Sequence, residues 1–201
     1  MRRRKNNLYY NTNKKKKSFI TKELISEIIS WISITAIAIV IAIALVTAFG
    51  MQVKVIGDSM EETLNNGQGI LIDRVLSRIA SPKKGDIIVF LPNGNKNSHY
   101  YVKRIVATSG DTVQIIDGRL YLNNQKVDEG NAYDTMQDAG IAENAIKLSS
   151  GEYFVLGDNR NSSEDSRSAN IGIVRQNMIV GKAWFKLKSD NASGGFIMND
   201  Y

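Results

Sequence analysis

The chain has 201 residues, no cysteine and one histidine, His99. Disulfides, a thiolate nucleophile and Cys- or His-cluster zinc sites are excluded, and a Ser-His-Asp triad would have to use His99. The net charge of +6 is unevenly placed: nine of 26 Lys and Arg and two of 20 Asp and Glu precede residue 28, leaving 17 basic against 18 acidic residues beyond it. A nucleic-acid-binding fold carries its basic patch on the folded surface, so this distribution argues against one.

Residues 1–27 form a basic tail. Its first twenty residues, rich in Arg, Lys and Asn, lack periodicity and are expected to be disordered. Ile28 to Val53 is a run of 26 residues without a charge. A helix of that length reaches roughly 39 Å, enough to cross an apolar core of about 30 Å. Cleavable signal peptides have apolar cores of only about 7–15 residues, so residues 28–50 read as an uncleaved transmembrane anchor. The basic residues on its N-terminal side place the N-terminus in the cytoplasm and residues 51–201 outside.

Residues 51–201 read mostly as strands. An extended approach through Val53 and Val55 leads to Gly57-Asp58-Ser59-Met60. Short apolar runs follow at Gly69–Asp73 and Ile87–Phe90, then a β-branched and aromatic run from Tyr100 to Ala107. Asp111–Ile116 and Arg119–Leu122, joined by Asp117-Gly118, read as a hairpin. Asn131 to Asn144 reads as an acidic excursion. Tyr153–Leu156 and Met178–Leu187 are further strands. With no βαβ alternation, the fold class is all-β: an antiparallel domain with one N-terminal transmembrane helix.

Three stretches can carry chemistry. A serine at a Gly-Asp bend presents its hydroxyl, although taken alone Ser59 is more simply a turn residue. Lys103 and Arg104 are adjacent cations in an apolar strand, where alternation sends them to opposite faces. A half-exposed strand with one snorkelling lysine is the simpler reading of that pair alone. The third stretch, Gly157 to Arg167, is a polar loop straight after an apolar strand. Its acids and arginines can pair internally, which a mere linker does not need. His99 lies beside an Asn/Gly/Lys-rich loop, a poor place for a buried orienting partner. Lys103 sits where burial depresses a lysine pKa. To act as a base near pH 7 that pKa must fall from about 10.4, roughly 4.6 kcal/mol of differential destabilisation, which burial can supply. A Ser-Lys dyad is therefore chemically feasible.

Four stretches in this order resemble the bacterial type I signal peptidases, in their compact single-anchor form. Gly57-Asp58-Ser59-Met60 with Thr63-Leu64 is similar to the family's nucleophile box. Lys84–Phe90 looks like the next strand, Tyr101–Val106 with Gly110-Asp111 like the lysine box, and Gly157–Arg160 through Asp165-Ser166-Arg167 like the last. The resemblance spans roughly residues 28–187. It implies Ser59 as nucleophile, Lys103 as general base and Ser163 as the hydroxyl that orients the lysine amine. It also implies Asp165, Arg167, Asp158 and Arg104 as structural ion pairs, Met60 as a lining residue, and the Ser59 N–H as one oxyanion donor.

The implied activity is a serine endopeptidase that removes signal peptides after small residues, needing no cofactor or metal. Its implied partners are secreted preproteins and membrane lipid, near the secretion translocon. Two positions depart from the pattern. Gly57 stands where some members carry an oxyanion-binding serine, leaving the second donor open. Glu62 stands where proline is common, which is expected to loosen the turn after the nucleophile. Two rival readings remain: a self-cleaving repressor, which needs a DNA-binding domain that the apolar span replaces, and a catalytically inactive, membrane-anchored signal-peptide-binding module.

Overall fold

The first long element is a helix because its sequence offers it a cap and nothing to break it. A computed structural model of the protein describes residues 21–95, 98–129 and 132–199. Helix α1 (Lys22–Phe49) starts at Thr21, whose hydroxyl accepts the Leu24 N–H at 3.3 Å. It therefore begins six residues before the uncharged run. The hydroxyls inside it bond back to the preceding turn, Ser33 to the Ile29 carbonyl and Thr35 to that of Trp31, both at 2.8 Å. It ends at Gly50, whose N–H donates to the Val46 carbonyl at 2.8 Å and where a Cβ would crowd that carbonyl. The last residues of the uncharged run, Met51 to Val53, are strand. With 28 residues and a mean hydropathy of 2.7 over its most apolar 18-residue stretch, the helix is long and apolar enough to cross a membrane. The first twenty residues of the basic tail, expected to be disordered, lie outside the described residues.

The chain divides into two units, one up to Ile43 and one from Ala44 onward. Among its described residues the second unit holds twelve strands: β1 (Met51–Lys54), β2 (Gly69–Asp73), β3 (Ile87–Phe90), β4 (Tyr101–Ala107), β5 (Thr112–Ile116), β6 (Arg119–Leu122), β7 (Gln125–Lys126), β8 (Ile146–Lys147), β9 (Glu152–Leu156), β10 (Val174–Arg175), β11 (Ile179–Lys186) and β12 (Gly195–Phe196). A short helix, α2 (Leu76–Ile79), follows β2. Every pairing is antiparallel. The larger sheet runs β1-β2-β11-β3-β4-β9-β10, with β12 on β11; the smaller runs β7-β6-β5-β8. The all-β antiparallel fold class with one apolar N-terminal helix is what the structure has.

Strands β3 and β4 lie at the centre of the larger sheet and are covered on both sides. Ile87 and Val89 face one core cluster with Val53, Met60, Leu64 and Ile72, while Ile88 and Phe90 face another with Ile105, Tyr153 and Val155. That double burial is why Ile87–Phe90 reads as an unbroken apolar run. A third cluster joins β5 and β6 to β9. The predicted hairpin forms at Asp117 (φ 50°) and Gly118 (φ 70°), both left-handed as a two-residue turn of that hand requires. The expected excursion at 131–144 is not a loose insertion: Met136 and Ala142 are buried in the third cluster.

Candidate active site

The segment between β1 and β2, residues 55–68, is a loop planted in the core by its apolar side chains. Val55, Met60 and Leu64 are buried in the first cluster, each stabilising by about 1.5–3 kcal/mol on burial. Gly57 adopts φ 86°, open to glycine without strain, and donates its N–H to Asn66 Oδ1 at 3.1 Å. The chain then bends so that the Glu61 N–H meets the Asp58 carbonyl at 3.0 Å and the Leu64 N–H meets that of Met60 at 2.7 Å. Ser59 sits half-buried at the bend. Its carbonyl accepts the Asn159 N–H at 3.1 Å, which ties the bend to the loop after β9.

Strand β4 supplies the partner. Lys103 is 4% exposed, lies opposite Ile88 of β3, and brings Nζ to 2.6 Å from Ser59 Oγ. Burial pushes its pKa down from 10.5 to about 8. Asp165, Glu164 and Asp158 oppose that fall through their charges, and Arg167 reinforces it. The amine forms no ion pair among the described residues and lies 5.7 Å from the centre of the Tyr101 ring.

Arg104, the next residue, points to the opposite face and is 2% exposed. Its Nε and Nη2 donate to the two oxygens of Asp158, both at 2.8 Å, and its Nη1 donates to the Gly85 carbonyl at 2.9 Å. Asp165 is completely buried and organises the loop after β9. Its carboxylate accepts the Gly157 N–H at 3.1 Å, the Ser163 hydroxyl at 2.7 Å and the Arg167 Nε at 2.8 Å. Gly157 must be glycine here, since a Cβ would run into Ser163 Oγ and the Ser59 carbonyl.

Two residues with implied roles take these positions. Ser163, expected to orient the lysine amine, donates its hydroxyl to Asp165 at 2.7 Å. Met60, expected to line the site, is fully buried in the first core cluster beneath the bend, where it anchors the loop that carries Ser59. The cleft in front of Ser59 and Lys103 holds about 280 Å³ and is lined instead by Ile56, Tyr101, Val102, His99, Ser162 and Glu164, among others. His99, discounted as a base, is exposed at this cleft.

Sequence reasoning missed two features. Glu164 stands in the cleft wall and accepts the Tyr101 hydroxyl at 3.1 Å, which with burial raises that phenol's pKa. Glu129 grips Arg160 through two bonds of 3.0 and 2.7 Å, while the Arg160 guanidinium stacks 4.0 Å over the Tyr133 ring. The excursion between β7 and β8 thus braces the loop that carries Asp165. Among the described residues no group of three His, Asp or Glu converges as metal ligands would.

This arrangement is a hydroxyl beside a buried amine, backed by a wall of fixed ion pairs. The family model described as "Signal peptidase, peptidase S26" matches residues 28–187. The chain is 32% identical over 182 residues to signal peptidase I T of Bacillus subtilis strain 168, covering 87% of this chain and 91% of that one. It is 33% identical over 177 residues to signal peptidase IB of Staphylococcus aureus strain COL, covering 80% and 89%. A crystal structure of a signal peptidase I from Enterococcus faecalis V583 aligns with a TM-score of 0.37 and 29% identity, over 51% of this chain and 96% of that chain. With the family model spanning most of its length and relatives above 30% identity along it, the chain belongs to the signal peptidase family, peptidase S26.

Proposed function

We propose that this protein is a membrane-anchored serine endopeptidase that removes signal peptides from exported preproteins by means of a Ser59-Lys103 dyad. Family membership supports a peptidase acting on signal peptides. The observation that carries the finer reading is the 2.6 Å contact between Ser59 Oγ and a Lys103 amine that is buried without a carboxylate partner. A pKa near 8 leaves about a tenth of the amine neutral at pH 7, against well under a thousandth for a free lysine.

Neutral Lys103 takes the Ser59 proton as Oγ attacks the carbonyl after a small residue of a preprotein lying extended in the cleft. The Ser59 N–H, which donates to no group among the described residues, is free to meet the oxyanion. The protonated amine then gives its proton to the leaving amine. Water activated by the neutral lysine hydrolyses the acyl-enzyme. Arg104–Asp158 and Asp165–Arg167 hold the two halves of the site at this separation. The apolar helix, with its N-terminus in the cytoplasm, keeps the catalytic unit at the outer membrane surface, where the substrate's own apolar segment raises its effective concentration.

The test is cleavage of a preprotein by purified full-length protein. Ser59→Ala and Lys103→Ala are expected to abolish cleavage with the fold intact; full activity of either variant contradicts the dyad.

A further inference from the structure

The chain continues past the stretch matched by the family model, and what it does there bears on Ser59. After β11 it turns back at Ser189 and Ala192, pairs Phe196 with Phe185 in β12, and places Ile197 against the first core cluster. Ile197 donates its N–H to the Trp184 carbonyl at 3.0 Å, and Asn199 Nδ2 donates to the Lys84 carbonyl at 2.8 Å. Gly194 packs closely against the start of this turn, where a Cβ would come within 2.8 Å of the Lys188 nitrogen. Residues 188–199 are therefore anchored along their length.

The anchor that matters most is Gln68, 1% exposed at the closing end of the nucleophile loop. Its Nε2 donates to two carbonyls of the returning chain, Leu187 at 2.9 Å and Ser193 at 3.1 Å. Its Oε1 accepts the Asn65 N–H at 3.1 Å. Its backbone carbonyl accepts the Val55 N–H at 2.9 Å, which closes the neck of the loop. Two further contacts run the same way: Asn65 Nδ2 donates to the Asn191 carbonyl at 3.0 Å, and Lys186 Nζ to the Thr63 carbonyl at 3.2 Å. One buried side chain thus joins the loop that carries Ser59 to a segment more than a hundred residues later.

We propose that residues 188–199 act as a strap on the nucleophile loop, and that Gln68 is the positioning residue through which the strap sets Ser59 against Lys103. None of these contacts touches the cleft walls at Tyr101, Lys103 or Glu164. Loosening the strap therefore leaves substrate binding in place and degrades the alignment of Oγ with Nζ. A small misplacement of a nucleophile costs far more in turnover than in affinity. The kinetic part rests on the peptidase reading above; the structural part does not.

The test compares full-length protein with Gln68→Ala, with a chain ending at Leu187, and with both changes together. Amide hydrogen exchange of the 55–68 segment is read first, since it needs no activity. Exchange at Asn65 and Gly67 is expected to speed up at least tenfold in each single variant, and no further in the double. For preprotein cleavage, kcat is expected to fall roughly tenfold with KM within about twofold, again without additivity. Asn65→Ala removes one outer contact and gives a smaller kcat loss in the same direction should the truncated chain not fold. Unchanged exchange at the loop in folded Gln68→Ala, additive losses in the double variant, or a loss confined to KM overturns the proposal. An unmodified protein that cleaves no preprotein contradicts the peptidase reading alone, and the exchange result then decides the strap.

Discussion

Lys103 and Arg104 are neighbours on one strand, both cationic and both buried, yet their surroundings differ in kind. Arg104 meets Asp158 through two parallel bonds and the Gly85 carbonyl through a third, so its charge is balanced where it lies. Lys103 meets a serine hydroxyl and no carboxylate within ion-pair distance. Burial with a matched partner keeps a charge and makes a strut; burial without one discharges the group and makes a base. Alternation along β4 permits this, since it sends one cation to each face of a sheet covered on both sides.

The largest effect is expected from removing the proposed base. Lys103→Met is expected to lower preprotein cleavage by about a thousandfold or more, while the protein becomes more stable at neutral pH. The sign follows from proton binding. Between the folded pKa near 8 and the ordinary 10.5, the unfolded chain binds a proton that the folded chain does not. Stability therefore rises with pH through that window, and below it the folded protein carries a cost on the order of 3 kcal/mol that methionine removes. Thermal melting at pH 7 and pH 10 checks this: the gain in Lys103→Met is expected to shrink as pH rises.

The same change one residue on is expected to act in the opposite direction. Arg104→Met leaves the Asp158 carboxylate buried without its partner, and a loss of about 3–5 kcal/mol is expected in denaturant unfolding. Equal stability changes at the two positions would erase the distinction drawn between them.

A smaller change tunes the base without removing it. Glu164 raises the Lys103 pKa by its charge, so Glu164→Gln is expected to move the acidic limb of kcat/KM to lower pH by less than about one unit. No movement, or movement upward, contradicts that electrostatic role. The smallest effect concerns Glu62, which adopts φ 81°. Proline, fixed near about −65°, does not fit that backbone, so the departure at Glu62 is a different turn rather than a looser one. Glu62→Gly is expected to add about 1 kcal/mol to stability and Glu62→Pro to lower it, both read by thermal melting.

The closeness of Ser59 and Lys103 was legible only through the four stretches taken in order, because a serine at a Gly-Asp bend and two adjacent cations in an apolar strand each have a simpler reading alone. The strand Ile87–Phe90 was legible from its unbroken apolar run. What was not legible depends on distances between segments far apart in sequence. That Ser163 donates its hydroxyl to a carboxylate follows only from where the fold places Asp165. Glu129 and Arg160 lie 31 residues apart with no shared periodicity. Gln68 speaks to backbone carbonyls 119 and 125 residues away, which leave no mark in the side-chain pattern. The two-residue strands β7, β8, β10 and β12 are too short to show any alternation.

The central claim is that the base is Lys103 and not the sole histidine, which lies in the same cleft. The pH dependence of kcat/KM for preprotein cleavage, measured for the wild type and for His99→Asn, tests it most directly. The account predicts an acidic limb near pH 8 in both proteins. An acidic limb that disappears in His99→Asn would contradict it.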